Sequence, residues 1–179
     1  MRALMFASGL LLAACAAPGG PVTTRTLAAA DAATSLAVGE SITEEMRTQA
    51  AAAEGMDPVV SLTLRHADGR RLSFQQGNHT ANDLAAQSAG GPLAQIMGLP
   101  GEETTTLYHS VSGEGRDEGA FFCGPQGPAA IGTYDAADGT LWVVGLRQEI
   151  QFETRPDGVT EALPYSPDQV CARLKFRRG

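Results

Sequence analysis

The segment VVSLTLRHADGRRLSF (Val59–Phe74) shows the clearest structural pattern in the chain. Apolar residues recur at every second position on both sides of its centre, as in two strands that each bury one face. Asp68-Gly69 is a typical two-residue hairpin turn, because glycine adopts the positive φ that such a turn needs. The segment therefore predicts an antiparallel β-hairpin.

Short apolar runs separated by turn sequences continue this pattern towards the C terminus. Arg155-Pro-Asp-Gly158 is one such turn, in which Pro fixes one dihedral angle and Gly permits a positive φ. The predicted strands are Thr104–Val111, Ala120–Cys123, Ala130–Tyr134, Leu141–Leu146, Glu149–Thr154, Val159–Leu163 and the alternating stretch 171–177. We therefore expect a mainly β (α+β) fold, with a small antiparallel sheet or barrel-like sandwich.

One N-terminal helix is expected beside the sheet. Ser41-Ile-Thr-Glu44 matches a capping box, in which a hydroxyl and a carboxylate bond to each other's backbone in the first helical turn. Alanine-rich helix formers follow, and Gly55 is a suitable stop. The pattern predicts a helix from Ile42 to Glu54. From Gly77 to Gly101 the periodicity is lost, apart from a short helix near Leu93–Met97.

The start of the chain has the features of an export signal. Arg2 precedes an apolar run that is too short to span a bilayer. Leu12-Ala-Ala-Cys15 then resembles the lipobox of bacterial lipoproteins. This resemblance covers residues 1–15 only. It implies that 1–14 is a signal peptide and that Cys15 becomes the lipidated first residue. Ala16 in place of Asp favours the outer membrane, facing the periplasm, in a Gram-negative host.

Residues 15–38 are rich in Ala, Thr, Gly and Pro and show no sustained apolar face. This composition predicts a flexible tether, because it cannot bury enough apolar surface to offset the entropy of ordering. A weak alanine-driven helix over Leu27–Leu36 is the alternative. The remaining residues, 39–179, are then a single globular domain.

Export out of the cytoplasm would also affect whether the cysteines form a disulfide. If Cys15 is acylated, Cys123 and Cys171 remain, and an oxidising compartment favours a disulfide between them. Two unpaired buried thiols are the alternative. The balance of 13 basic and 20 acidic residues argues against nucleic-acid binding, which depends on basic side chains.

The sequence contains few candidates for catalytic or metal-binding residues. His66, His79 and His109 lack the spacing of a metal motif, and no cofactor is expected. His109 and Ser110 should point to opposite faces of a strand, which disfavours a serine hydrolase. The acidic Gly113–Gly119 segment lacks the ordered spacing of a calcium loop and is interpreted as a polar turn.

The one basic cluster is a candidate binding surface. Arg173, Lys175 and Arg177 would form a cationic stripe on the last strand. The alternative is a solvated edge strand, where charge prevents aggregation.

The sequence therefore predicts a lipid-anchored binding or assembly module of the cell envelope. The membrane would hold it through the acyl anchor, and its partner would be an envelope protein or a cell-wall component. Two alternatives remain open: an inhibitor of wall-degrading enzymes, in analogy with membrane-bound lysozyme inhibitors, and an unrecognised periplasmic hydrolase.

Overall fold

The chain folds into a closed, eight-stranded antiparallel β-barrel, in a computed structural model that describes residues 20–76, 80–111 and 120–178. The barrel order is β1-β2-β3-β4-β5-β6-β7-β10, and β10 pairs again with β1. β8 and β9 form a separate hairpin inserted before β10. The strands are β1 Val22–Ala29, β2 Ser41–Gln49, β3 Val59–Arg65, β4 Arg71–Gln76, β5 Thr106–Ser110, β6 Ala130–Asp135, β7 Thr140–Leu146, β8 Phe152–Thr154, β9 Thr160–Ala162 and β10 Val170–Arg178.

Alternation along the strands fills the barrel with apolar side chains. Leu62 and Leu64 of β3 face Phe74 and Leu72 of β4 across the ladder, and all four are buried. This is the hairpin predicted from the sequence, and its alternating residues now form part of the interior. The predicted mainly β fold with one disulfide is confirmed.

The two ends of the barrel carry different connections. At the end called here the Gly20 end, the chain enters β1, and the segment 50–58 and the turn 136–139 close β2–β3 and β6–β7. At the disulfide end lie helix α1 (Ala32–Val38), the turn 66–70 and the described part of the β5–β6 connection. Cys123 in that connection is bonded to Cys171 at the start of β10.

Two further short helices cover the outer wall of β5, β6 and β7. They are α2 (Ala81–Gln87) and α3 (Pro92–Met97), and they bury a second apolar cluster against the wall. Gly132 permits this contact, because a Cβ there would lie 2.6 Å from the Leu93 Cδ1 atom. The predicted short helix near Leu93–Met97 agrees with α3, and α2 was not predicted.

The prediction of a flexible tether over 15–38 is wrong from Val22 onward. β1 pairs with β2 on one side and with β10 on the other, so it closes the barrel. Leu27 is fully buried, and α1 follows, capped by the Asp31 side chain. A strand needs few apolar residues when both neighbours satisfy its backbone groups, which is why composition alone was misleading.

The predicted helix Ile42–Glu54 is also wrong, because Ser41–Gln49 forms β2. Ile42, Glu44 and Met46 turn inward, a period of two that the capping-box pattern obscured. Pairing with β1 and β3 overrides the local helix preference, which is a weak prior. The N-terminal helix of the fold is instead α1.

Ala120–Cys123 is not a strand but a bend that places Phe121 and Phe122 in the core. Predictions for the signal peptide 1–14, Cys15, His79 and the segment 113–119 lie outside the described residues. In the described part of the chain, no helix is both long and apolar enough to cross a bilayer.

Candidate functional site

A pocket of about 360 Å³ lies on the outer wall, between the start of α2, strand β5 and the segment that leads into β8. Its apolar walls are Leu107, Ile150 and Phe152. Its polar groups include Asp83, His109 and Glu149, which meet at one place although they are far apart in sequence. This convergence makes the pocket the candidate functional site.

His109 bridges the two carboxylates. Its Nε2 atom is 3.2 Å from Oδ1 of Asp83, and its Nδ1 atom is 3.0 Å from Oε1 of Glu149. The imidazole is about one third exposed, so a ligand in the pocket can reach this cluster. As expected from the sequence, His109 and Ser110 point to opposite faces, with Ser110 paired to the inward-facing Phe74.

The fold fixes the position of the Asp83 carboxylate. Helix α2 begins with a capping box in which Thr80 Oγ1 accepts a hydrogen bond from the Asp83 backbone N–H at 3.2 Å. Asp83 Oδ2 accepts in return from the Thr80 backbone N–H, also at 3.2 Å. One carboxylate oxygen is thus held by the helix terminus, and the other is directed at His109.

Gln87, one turn further along, fastens α2 to β5. Its backbone oxygen accepts from the Thr105 N–H, and its Oε1 atom accepts from the Leu107 N–H, both at 3.1 Å. β5 pairs with β4 through only two residues, so Gln87 supplies acceptors where the ladder is missing. The same contacts set the distance between Asp83 and His109.

The number of protons on the imidazole limits what this arrangement can do. A neutral imidazole has one N–H and donates to one carboxylate only, whereas an imidazolium donates to both. A cationic group that enters the pocket can therefore satisfy the second carboxylate in place of a proton. The geometry is suited to binding a donor of positive charge.

The described lining offers little for catalysis. Thr80, its one hydroxyl side chain, already accepts a hydrogen bond in the capping box, and no thiol lines the described pocket. Within 20–76, 80–111 and 120–178, no group of His, Cys, Asp or Glu has the geometry to hold a metal ion. An Asp–His pair could still act as an acid–base couple on a group of the substrate or on a water molecule.

A second polar cluster lies inside the barrel near the Gly20 end. Arg25 donates to Glu44, which is almost fully buried, and its Nη2 atom is 3.5 Å from Sδ of Met46. Hydrogen bonding to Glu44 raises the pKa of Arg25 above its ordinary value. Burial, with help from Glu44, raises the pKa of Tyr108 to about 12. The opposite charges of Arg25 and Glu44 compensate each other inside the barrel. We therefore assign this cluster a role in packing the barrel interior.

The predicted cationic stripe of Arg173, Lys175 and Arg177 lies on the outer wall. Arg173 and Lys175 make contacts within the protein. Arg173 donates to the backbone oxygens of Ile96 at 2.7 Å and Met97 at 3.4 Å, so it caps α3. The Lys175 Nζ atom lies 4.2 Å from the ring centroid of Trp142. Arg177 is exposed. The edge-strand alternative is wrong, because β10 is paired on both sides.

The predicted Cys123–Cys171 disulfide is confirmed, with a Cα–Cα distance of 5.0 Å. It joins residues 48 positions apart in the sequence and links the β5–β6 connection to the start of strand β10. Gly145 provides the room, because a Cβ there would lie 2.5 Å from the Cys123 sulfur. The bond stabilises the fold and leaves neither thiol reactive.

Sequence reasoning considered His109 but assigned it no role, and it missed both of its partners. The Thr80-x-x-Asp83 capping pattern was present within a segment interpreted as irregular, and it would have indicated α2. Nothing in the sequence connects Glu149 with His109, since 40 residues separate them. Comparison with protein-family models, curated proteins and solved structures gives no significant match.

Proposed function

We propose that this protein is a lipoprotein of the bacterial cell envelope, anchored through Cys15, whose barrel is a binding or assembly module. The lipobox pattern at Leu12–Cys15 supports the anchor. The bridging of His109 by two carboxylates supports binding, because it offers fixed acceptors beside an apolar wall. An anchored module needs only modest affinity, since anchoring raises its local concentration.

The ligand of the His109 pocket carries a positive charge: a lysine or arginine side chain of an envelope protein, or an amine of a wall fragment. Asp83 is held in place by the capping box, so it presents its other oxygen, which lies beside His109, without a further ordering cost. The formal net charge of −7 favours a basic partner in the approach. Leu107, Ile150 and Phe152 would contact the apolar stem of such a side chain.

A binding measurement tests this proposal. The Cys15→Ser protein is titrated with a wall-derived peptide that has a free amine and with the same peptide after acetylation. We expect Glu149→Gln to weaken binding of the free amine by about tenfold or more, the effect of losing one charge-assisted hydrogen bond. Glu153→Gln is the matched control, because it makes the same charge change outside the pocket lining.

Equal binding of both peptides, or equal effects of the two glutamate variants, would contradict a cationic ligand. Inhibition of a wall-degrading enzyme by the Cys15→Ser protein would identify that enzyme as the basic partner. Turnover of a substrate that His109→Gln abolishes would instead show a hydrolase.

The anchor has its own test. We expect protein extracted from membranes to begin at Cys15 and to carry the mass of attached acyl chains. Cys15→Ser should move the protein to the soluble fraction. A variant that stays equally membrane-bound would contradict the lipoprotein assignment.

A further inference from the structure

The Gly20 end of the barrel carries three exposed large apolar side chains. Val22 begins β1, Met56 lies in the β2–β3 connection and Leu84 lies on α2, with 49%, 45% and 58% of their surfaces exposed. Leu84, Pro58 and Val60 line a groove of about 340 Å³, which also contains Asp57, the residue after Met56. Isolated exposed apolar residues are normal, but several at one end of a barrel are typical of an interaction surface.

Gly20, the first residue that the structure describes, lies at this end. Gly20 packs against β2 so closely that a Cβ would lie 1.6 Å from the Thr48 backbone oxygen. Five residue steps separate Gly20 from Cys15. Even a fully extended chain spans at most about 18 Å over five residues. An acyl group on Cys15 would therefore keep the Gly20 end within that distance of the bilayer.

We propose that the Gly20 end is a membrane-docking surface, at which Val22, Met56 and Leu84 enter the boundary between headgroups and acyl chains. The inference rests on the proposed acylation of Cys15. A tether of the predicted length would have let the domain turn freely, whereas the short connection leaves this end nearest the lipid. Burial of each such side chain contributes in the same way as in an interfacial helix.

Docking also orients the candidate site. β5 runs from the Gly20 end towards the disulfide end, and His109 is its penultimate residue. The pocket also contains Asp83, the neighbour of Leu84 on α2, so it lies on the outer wall beside the docking surface.

The charged residues at the Gly20 end determine how much electrostatic attraction contributes to docking. Glu54 and Asp57 lie near Met56 and are exposed, and so is Arg47 opposite Val22, so charges of both signs surround the surface and give anionic headgroups no strong attraction. The contact depends on apolar burial and on the anchor. We therefore expect that high salt does not release it, since salt screens exposed charges only.

Tryptophan quenching in the lipidated protein tests the docking surface. Trp142 is the only tryptophan, so Trp142→Phe gives a silent background. Met56→Trp or Leu84→Trp reports on the Gly20 end, and Leu36→Trp is the control, because Leu36 is 90% exposed on α1 at the opposite end. The vesicles contain phosphatidylethanolamine and phosphatidylglycerol with brominated acyl chains.

We expect brominated lipid to lower the emission of Met56→Trp and Leu84→Trp and to leave that of Leu36→Trp unchanged, because quenching needs the indole to reach the acyl chains. The Cys15→Ser forms should show much weaker quenching. Mass spectrometry of the same samples reports acylation. Equal quenching at both ends, or none at either end, in acylated protein would overturn the docking surface and leave the anchor intact.

Absence of the acyl mass on membrane-derived protein would instead refute the proposed function. Emission from Met56→Trp that shifts to the blue with protein concentration, without vesicles, would show a second copy on this surface and overturn docking to lipid.

Discussion

The two ends of the barrel are built in opposite ways. At the disulfide end, Phe121 and Phe122 fill the interior, and the Cys123–Cys171 bond fixes the connection that carries them. At the Gly20 end, the interior is polar, with Arg25, Glu44 and Tyr108, and the apolar side chains are outside. One end therefore stabilises the fold by apolar packing and a covalent bond, whereas the other end leaves apolar side chains exposed.

Removing the strand that enters at the Gly20 end should have the largest effect. A chain that starts at Gly39 lacks β1, exposes unpaired edges of β2 and β10, and loses the fully buried Leu27. We expect it to show no cooperative unfolding transition in urea and no near-ultraviolet circular dichroism. A chain that starts at Gly20 is the control and should unfold cooperatively. Cooperative unfolding of the shorter chain would show that β1 is dispensable.

Breaking the disulfide end should be the next largest effect. Cys123→Ser/Cys171→Ser removes a bond across 48 residues, for which chain entropy gives about 4 kcal/mol of unfolding free energy. Urea denaturation of the variant measures the loss. Reductant should destabilise the wild type by a similar amount and should not affect the variant. A loss below about 1 kcal/mol would mean that packing of Phe121 and Phe122 holds this end without the bond.

Alkaline pH should lower the unfolding free energy through Tyr108 at the Gly20 end, by less than loss of the disulfide does. The unfolded chain ionises tyrosine near pH 10, whereas burial raises the pKa of Tyr108 to about 12 in the folded protein. Between these values only the unfolded state releases the proton, so stability falls as pH rises from about 10 to 12. The tyrosine accounts for about 2–3 kcal/mol of that fall.

Tyr108→Phe should remove this part of the pH dependence, measured as urea unfolding free energies at pH 8 and near pH 11. Tyr165→Phe is the control, because Tyr165 packs against the outer cluster and not inside the barrel. If both variants keep the wild-type slope, the hydroxyl of Tyr108 is not desolvated as the structure shows.

The predictable parts of this fold are those in which neighbouring residues determine the structure. The hairpin at Val59–Phe74 combines strict alternation with an Asp-Gly turn, and it folds as predicted. The helix predicted at 42–54 and the tether at 15–38 failed for one reason: β2 and β1 are stabilised by strands on both sides. Local propensity is a weak signal when pairing satisfies every backbone group.

The candidate site was predictable only in part. His109 was one of three histidines to which the sequence assigned no site, although its direction away from Ser110 followed from the period of two. Asp83 reaches it because α2 is fastened to β5 by Gln87. Glu149 reaches it because the segment before β8 crosses the same wall. These are packing events between distant segments, which carry no periodic signal.

Residue type and near neighbours were enough to predict the β character, the hairpin turns and the acidic charge. Alternation fixes strand faces and glycine fixes turns, whereas the pairing of Cys123 with Cys171 followed only on the condition that the third cysteine, Cys15, is acylated. Only the tertiary structure decided that the sheet closes through Val22–Ala29, that His109 lies between two carboxylates, and that the Gly20 end is polar within and apolar outside. Closure and convergence depend on the order in which the strands pair, and that order is set by the packing of the whole barrel.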